Sequence, residues 1–298
     1  MLKDCVLVLG SGKSVLNLSP TERELLNTCK VKIGINKYAA FYEISQIMPS
    51  HIYFVDDYDA SAITMLNYIF KLYRTNKIKN RIFIVSSNYK GFIYNNYFKF
   101  IFFKQLNHLK INFVLLLVKL GRLVLKKISV SYFNDFKFFL NKTLKINSVF
   151  KYNMSPKQSK TQYVNTQNWI TKGNKWAKSL SEPLYHFRGS FSTVLNYISI
   201  CYPNKTILLI GVDFNSSDYF FEKQLSMLNF DTKDWTSKIK KYHNKHFSII
   251  ETNGVKIDDE LPFMLDELKK SNNKMYSLNK FSYLVEKGYV EHINLDYL

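Results

Sequence analysis

Short apolar runs recur along the chain, each closing on a small or polar residue. Residues 5–10 (Cys-Val-Leu-Val-Leu-Gly) are a continuous apolar run ending in glycine, the pattern of a strand buried on both faces before a tight turn. Val31–Ile35, ending at Asn36, His51–Val55, ending at Asp56 and Asp57, and Arg81–Ser86 read as further strands. Helical stretches such as Ala60–Tyr73 fall between them. Ser19-Pro20-Thr21-Glu22 carries a helix start, with a serine cap, proline at the first helical position and an acid in the first turn. Arg188-Gly-Ser-Phe-Ser-Thr-Val-Leu-Asn-Tyr-Ile-Ser-Ile reads as a loop entering a buried helix near Ser190. Lys205–Phe214 is another buried strand, carrying Gly211 and Asp213 at its end. Residues 216–256 have loop character, Asp258–Ser271 is a helix with acids first and lysines last, and Lys274–Leu278 is a last strand. The alternation predicts an α/β fold with a doubly wound, mostly parallel sheet.

Residues 95–160 break this rhythm. They hold 13 Lys or Arg and one acid, Asp135, and so account for +12 of the formal +19 charge. The apolar run from Ile111 to Lys127 is interrupted by Lys119 and Arg122, too soon for a bilayer span, and fits an amphipathic helix lying in an interface. Three parts are therefore expected: a nucleotide-binding α/β part over 1–94, a basic amphipathic insertion over 95–160 that faces a membrane or serves as a lid, and completion of the α/β domain over 161–298. So large a positive charge demands an anionic partner. An anionic membrane surface is preferred to nucleic acid, because the charge is concentrated among apolar residues and no zinc finger, RRM or helix-turn-helix signature is visible. A basic membrane- or nucleic-acid-binding protein without catalysis is the competing reading. Cys5, Cys29 and Cys201 are dispersed and form no CxxC pair, which fits a reducing cytoplasm. The N-terminus reads directly into a strand, with no signal peptide expected.

Candidate chemistry clusters at strand ends, where open parallel sheets bind ligands. Gly10-Ser11-Gly12-Lys13-Ser14 has Leu7 where a Walker A loop needs its first glycine, and Val15 where the dinucleotide fingerprint needs its third. A short Gly-rich turn remains, of the kind that brings backbone N–H groups near a phosphate. Asn36, Asp56 with Asp57, Ser86 to Asn88, and Asp213 each follow a strand, and Asp213 has a second reading as a cap for backbone N–H groups. Arg188-Gly189-Ser190 forms an anion site at a helix start, or Arg188 pairs internally. Tyr242-His243-Asn-Lys-His246-Phe247, followed by Glu251, offers imidazoles for general-base work.

These residues together resemble a family. Val6-Leu-Val-Leu-Gly-Ser-Gly-Lys-Ser14 is similar to the opening strand and G-N-G-P-S turn of the Campylobacter-type bacterial sialyltransferases, glycosyltransferase family 42. Arg188 through Phe214 resembles that family's second signature, an R-x-[ST]-S-G loop, a buried helix and a strand ending in G-[IV]-D-F. The resemblance covers residues 4–60 and 185–285. It implies a GT-A-like variant Rossmann fold and inverting, metal-independent transfer of sialic acid from CMP-sialic acid, with no cofactor. By the same resemblance Gly10, Ser11, Gly12, Ser14, Asn36 and Asp56 contact CMP. Ser190, with Arg188, holds the cytidine or the sugar carboxylate, and Gly211 and Asp213 complete that side. Ser11 stands where the family has asparagine. Asn215 stands at the first of its phosphate-assisting tyrosines, and Tyr219 matches the second. The base falls on His246, with Glu251 second and His243 behind it. The departures suggest a relative whose donor carries sialic acid, another nonulosonate or Kdo, and whose acceptor is a glycan or lipooligosaccharide. The expected location is cytoplasmic, peripheral on the inner face of the membrane, with self-association into a homo-oligomer left open. Asp57-Tyr58-Asp59 has the letters of a D-x-D metal motif.

Overall fold

A computed structural model of the chain describes residues 2–55, 65, 66, 68, 69, 72, 81–87, 160–168, 173–227 and 245–297. The chain divides into two units, Met1–Ser87 with Pro156–Leu298, and Asn88–Ser155. The basic segment expected over 95–160 lies, except for Lys160, outside the described residues, and so do Asp56, Asp57, Asp59 and His243.

The first unit is built on one eight-stranded parallel sheet: β1 (Val6–Leu9), β2 (Val31–Ile35), β3 (His51–Phe54), β4 (Ile82–Ser86), β5 (Lys160–Val164), β6 (Thr206–Ile210), β7 (Lys274–Ser277) and β8 (Glu291–His292). Their order is β5-β4-β3-β2-β1-β6-β7-β8, and every neighbouring pair is parallel. The chain therefore walks outward from β1 to β5, then returns to lay β6 against the other side of β1. Val6 pairs with both Val31 and Ile207 in register. The β1–β6 seam is the point where the winding reverses, and ligands of open α/β sheets enter the crevice beyond the strand carboxyl ends at such a point.

The continuous apolar runs follow from burial on both faces. Val6, Val8, Ile33, Tyr53, Ile84 and Val164 point into a core shared with Val194, Leu195 and Ile198 of the long helix and with Leu261, Met264 and Leu268. The alternate residues Leu7, Leu9, Ile52, Phe54 and Phe83 are buried as completely. Each such side chain contributes roughly 1.5–3 kcal/mol relative to exposure, so the register is fixed firmly: a slip of one residue would exchange the two faces.

The helices follow their start signals. Helix α1 (Pro20–Asn27) opens on Ser19, whose hydroxyl accepts from the Glu22 N–H at 3.2 Å while the Glu22 carboxylate accepts from the Ser19 N–H at 2.6 Å. A short helix α2 (Tyr42–Ser45) precedes β3, and the described positions of the helix expected over Ala60–Tyr73 are helical. Helix α3 (Ser190–Cys201) begins where the Arg188-Gly189-Ser190 loop predicts. Helix α4 (Glu222–Met227) follows the loop after β6, and α5 (Leu261–Lys270) packs on α3. Helix α6 (Tyr283–Glu286) lies between β7 and β8.

At the opposite, amino-terminal edge of the sheet His51 is 4% exposed. Its two ring nitrogens are engaged by the Ser50 hydroxyl at 2.8 Å and the Tyr202 hydroxyl at 2.7 Å. Desolvation, aided by Arg81, holds this ring down to about 4, so it is a neutral structural histidine remote from the strand carboxyl ends.

Candidate functional site

Two loops meet at the seam. The Gly10 N–H donates to Ile210 O at 2.7 Å, and the Gly12 N–H to Gly211 O at 2.8 Å. Asp213, 6% exposed, accepts from the Ser14 N–H at 3.0 Å, the Ser14 hydroxyl at 2.6 Å and the Asn279 amide at 2.9 Å. The capping reading of Asp213 is thus the one the geometry bears out: its carboxylate ties the turn after β1 to the loops after β6 and β7.

This interlock also accounts for the glycines. A Cβ on Gly10 would lie 2.2 Å from Gly211 O, and one on Gly12 would lie 2.4 Å from the Asp213 carboxylate. Gly211 itself sits at φ +67, in the left-handed region. The turn was expected to present its N–H groups to a phosphate. Those of Gly10, Gly12 and Ser14 are instead consumed within the protein, and the turn runs into a short 3-10 segment, Lys13–Asn17, not into an α-helix. The physical reason is the close β1–β6 approach, which takes up the donors a ligand would use.

Beside the seam the strand ends are more open. Asn36 ends β2 at φ 47, a conformation asparagine tolerates better than most residues. Its carbonyl oxygen accepts from the Val55 N–H at 3.1 Å, and its amide donates to the Ser190 hydroxyl at 2.9 Å. Asn36 therefore fixes the ends of β2 and β3 against the N-terminus of α3. Tyr219 pairs with Gly12 in an isolated antiparallel bridge, and the Phe220 N–H donates to Ser11 O at 3.1 Å. The loop after β6 thus folds back over the Gly10–Ser14 turn, with Lys13 and Asp218 3.7 Å apart beside it. The Tyr219 ring stacks on Phe221 at 5.2 Å.

Arg188 is 1% exposed. Its guanidinium donates to Phe247 O and Ile250 O, each at 2.6 Å, and to the Thr252 hydroxyl at 3.2 Å. It is a clamp on the loop that carries His246. Ser248 closes the same contact by donating to Arg188 O at 2.6 Å. Glu251 is exposed.

His246 follows from these supports. Its N–H donates to Phe214 O at 3.2 Å, and its ring lies 5.1 Å from the Phe214 ring. The residue as a whole is half-buried. Crowding by protein nevertheless depresses its imidazole to about 4 by desolvation, and the charges of Lys37 and Arg188 add to the effect. The ring is neutral at ordinary pH. Nδ1 accepts from the Ser248 N–H at 3.3 Å, so Nε2 carries the proton in this arrangement. Action as a base requires the other tautomer. That tautomer turns Nδ1–H toward the buried Ser248 N–H, which loses its acceptor at a cost of about 1–3 kcal/mol.

The strand-end argument finds Asn36 and Asp213 and the helix-start loop finds Ser190, which Asn36 bonds directly. Asn279 and Lys37 escaped it. Asn279 ends β7 by the same rule and was legible; Lys37 carries no spacing signal. Among the described residues no group of three or more His, Cys, Asp or Glu is placed to hold a metal ion, and no helix is long and apolar enough to cross a membrane. Fold and site together define an α/β protein with polar side chains gathered at the switch point of a parallel sheet. No protein-family model, curated protein or solved structure matches the chain.

Proposed function

We propose that this chain is an inverting glycosyltransferase of GT-A-like architecture. It moves an acidic sugar (sialic acid, a related nonulosonate or Kdo) from a CMP-sugar donor to a glycan or lipooligosaccharide acceptor. One observation carries the reading: the two stretches that resemble the family lie far apart in sequence yet interlock, through Ser14 and Asp213, at the point where open sheets take nucleotides. Asn36, Ser190 and Tyr219 border the donor, and His246 takes the proton of the acceptor hydroxyl. That oxygen attacks the anomeric carbon on the face opposite the leaving group. The bond from this carbon to the phosphate oxygen breaks, and CMP departs with the electron pair. The basic segment holds the enzyme on the inner face of the cytoplasmic membrane, near a lipid-linked acceptor.

The test is a thermal-shift titration with a chelator present. CMP and CDP are expected to raise the melting temperature more than UDP or GDP, because binding to the folded state alone stabilises it. Stabilisation by UDP only when manganese is supplied would overturn the donor assignment.

A further inference from the structure

Lys37 follows Asn36 in the turn that closes β2. Its Nζ lies 6.0 Å from the centroid of the Tyr219 ring, within the range of a cation–π contact. Its charge also reaches His246, whose imidazole it helps to hold neutral. The adjoining Asn36 side chain is bonded to Ser190, the first residue of the twelve-residue helix α3. The β2 turn is thus joined at this edge to the loop after β6 through Lys37 and Tyr219, and to the start of α3 through Asn36.

We propose that Lys37 binds the phosphate of the nucleotide donor and stabilises it as the leaving group. The inference rests on the reading of this edge as a CMP-sugar site and names a residue that meets the phosphate, a role the N–H groups of Gly10, Gly12 and Ser14, bonded within the protein, do not fill. The phosphate of a CMP-sugar is a diester with one negative charge. When the bond from the anomeric carbon to oxygen breaks, the electron pair stays on phosphate, which becomes a dianion, and the acceptor's proton goes to His246. A fixed ammonium interacts more strongly with the developing dianion than with the diester. Its effect therefore falls on the transition state and on free CMP more than on the bound donor.

The test compares cytidine with CMP by titration calorimetry on the full chain, as wild type, Lys37→Met and Lys37→Arg. Wild type is expected to prefer CMP, and Lys37→Met to lose ~10-fold or more in CMP affinity while cytidine binding stays within about twofold. Lys37→Arg should retain most of the preference, since it keeps the charge. Unchanged CMP affinity in Lys37→Met overturns the inference and leaves the site reading standing. An equal loss for cytidine and CMP also overturns it, showing that Lys37 shapes the site without meeting the phosphate. Wild-type protein that binds neither compound contradicts the site reading itself.

Discussion

His246→Ala lowers transfer by ~10²–10⁴-fold and leaves CMP affinity within about twofold, the scale at which a lost general base is felt. The geometry supports this separation. His246 hangs on Phe214 O and the Arg188-clamped loop, whereas Asn36 holds the end of β3 and the start of α3. His246→Gln distinguishes a base from a hydrogen-bond donor, since glutamine preserves an N–H but takes up no proton. The account expects His246→Gln to be as inactive as His246→Ala. A glutamine variant near wild-type rate would make the Nε2–H donor the working group. The pH dependence carries the same information. The imidazole titrates at about 4, and it must be neutral to accept a proton. Turnover should therefore hold level as pH falls from 7 through the usual histidine range near 6.5, and fall only as pH approaches the value of the folded protein. An acidic limb centred near 6.5 would contradict this. Glu251→Gln, on an exposed position, should leave the rate within about threefold.

Gly10→Ala is expected to be among the most damaging single changes to stability, at about 3–4 kcal/mol. The added carbon would meet Gly211 O at 2.2 Å and its carbonyl carbon at 2.7 Å. These are backbone atoms that move only if β1 and β6 separate, and such overpacking belongs with the costly substitutions. Gly254→Ala is the matched control. Gly254 has φ +73 but nothing within 4 Å of a new Cβ, so only the left-handed backbone penalty of about 1–2 kcal/mol applies. Urea midpoints and slopes for the two variants decide it. If Gly10→Ala unfolds at the same midpoint as Gly254→Ala, the seam is looser than described.

The same seam shows why part of the molecule was legible in the sequence and part was not. A strand buried on both faces is largely apolar, so β1 to β4 and β6 announce themselves, whereas β7, Lys-Met-Tyr-Ser, is exposed at Lys274 and only half-buried at Met275 and Tyr276. Strand β5, Lys-Thr-Gln-Tyr-Val, pairs only with β4 and carries polar residues at the sheet edge, so no strand is read there and the expected boundary between residues 160 and 161 cuts through it. Strand β8 is two residues long and gives no period to read. The α1 capping box was visible because its chemistry is local. The site residues divide on the same ground. Asn36 and Asp213 stand at strand ends and were found by position alone. Their actual partners, Ser190, Ser14 and Asn279, depend on which strands are neighbours, which a sequence pattern does not encode. Arg188 shows the limit most clearly. An arginine beside a helix start reads equally as an anion receptor or as an internally paired residue, and only the fold shows its guanidinium donating to Phe247 O and Ile250 O.

The central claim, transfer from a CMP-sugar, is tested most directly by following the donor's sugar itself. Purified protein is incubated with CMP-sialic acid, or with CMP-Kdo, together with a lipooligosaccharide acceptor and a chelator, and proton NMR records CMP release and the new glycosidic bond. The account predicts a glycan product whose anomeric configuration is inverted relative to the donor, formed with no added metal. A retained configuration, or CMP-sugars left intact while a UDP-sugar is consumed with manganese, would contradict it.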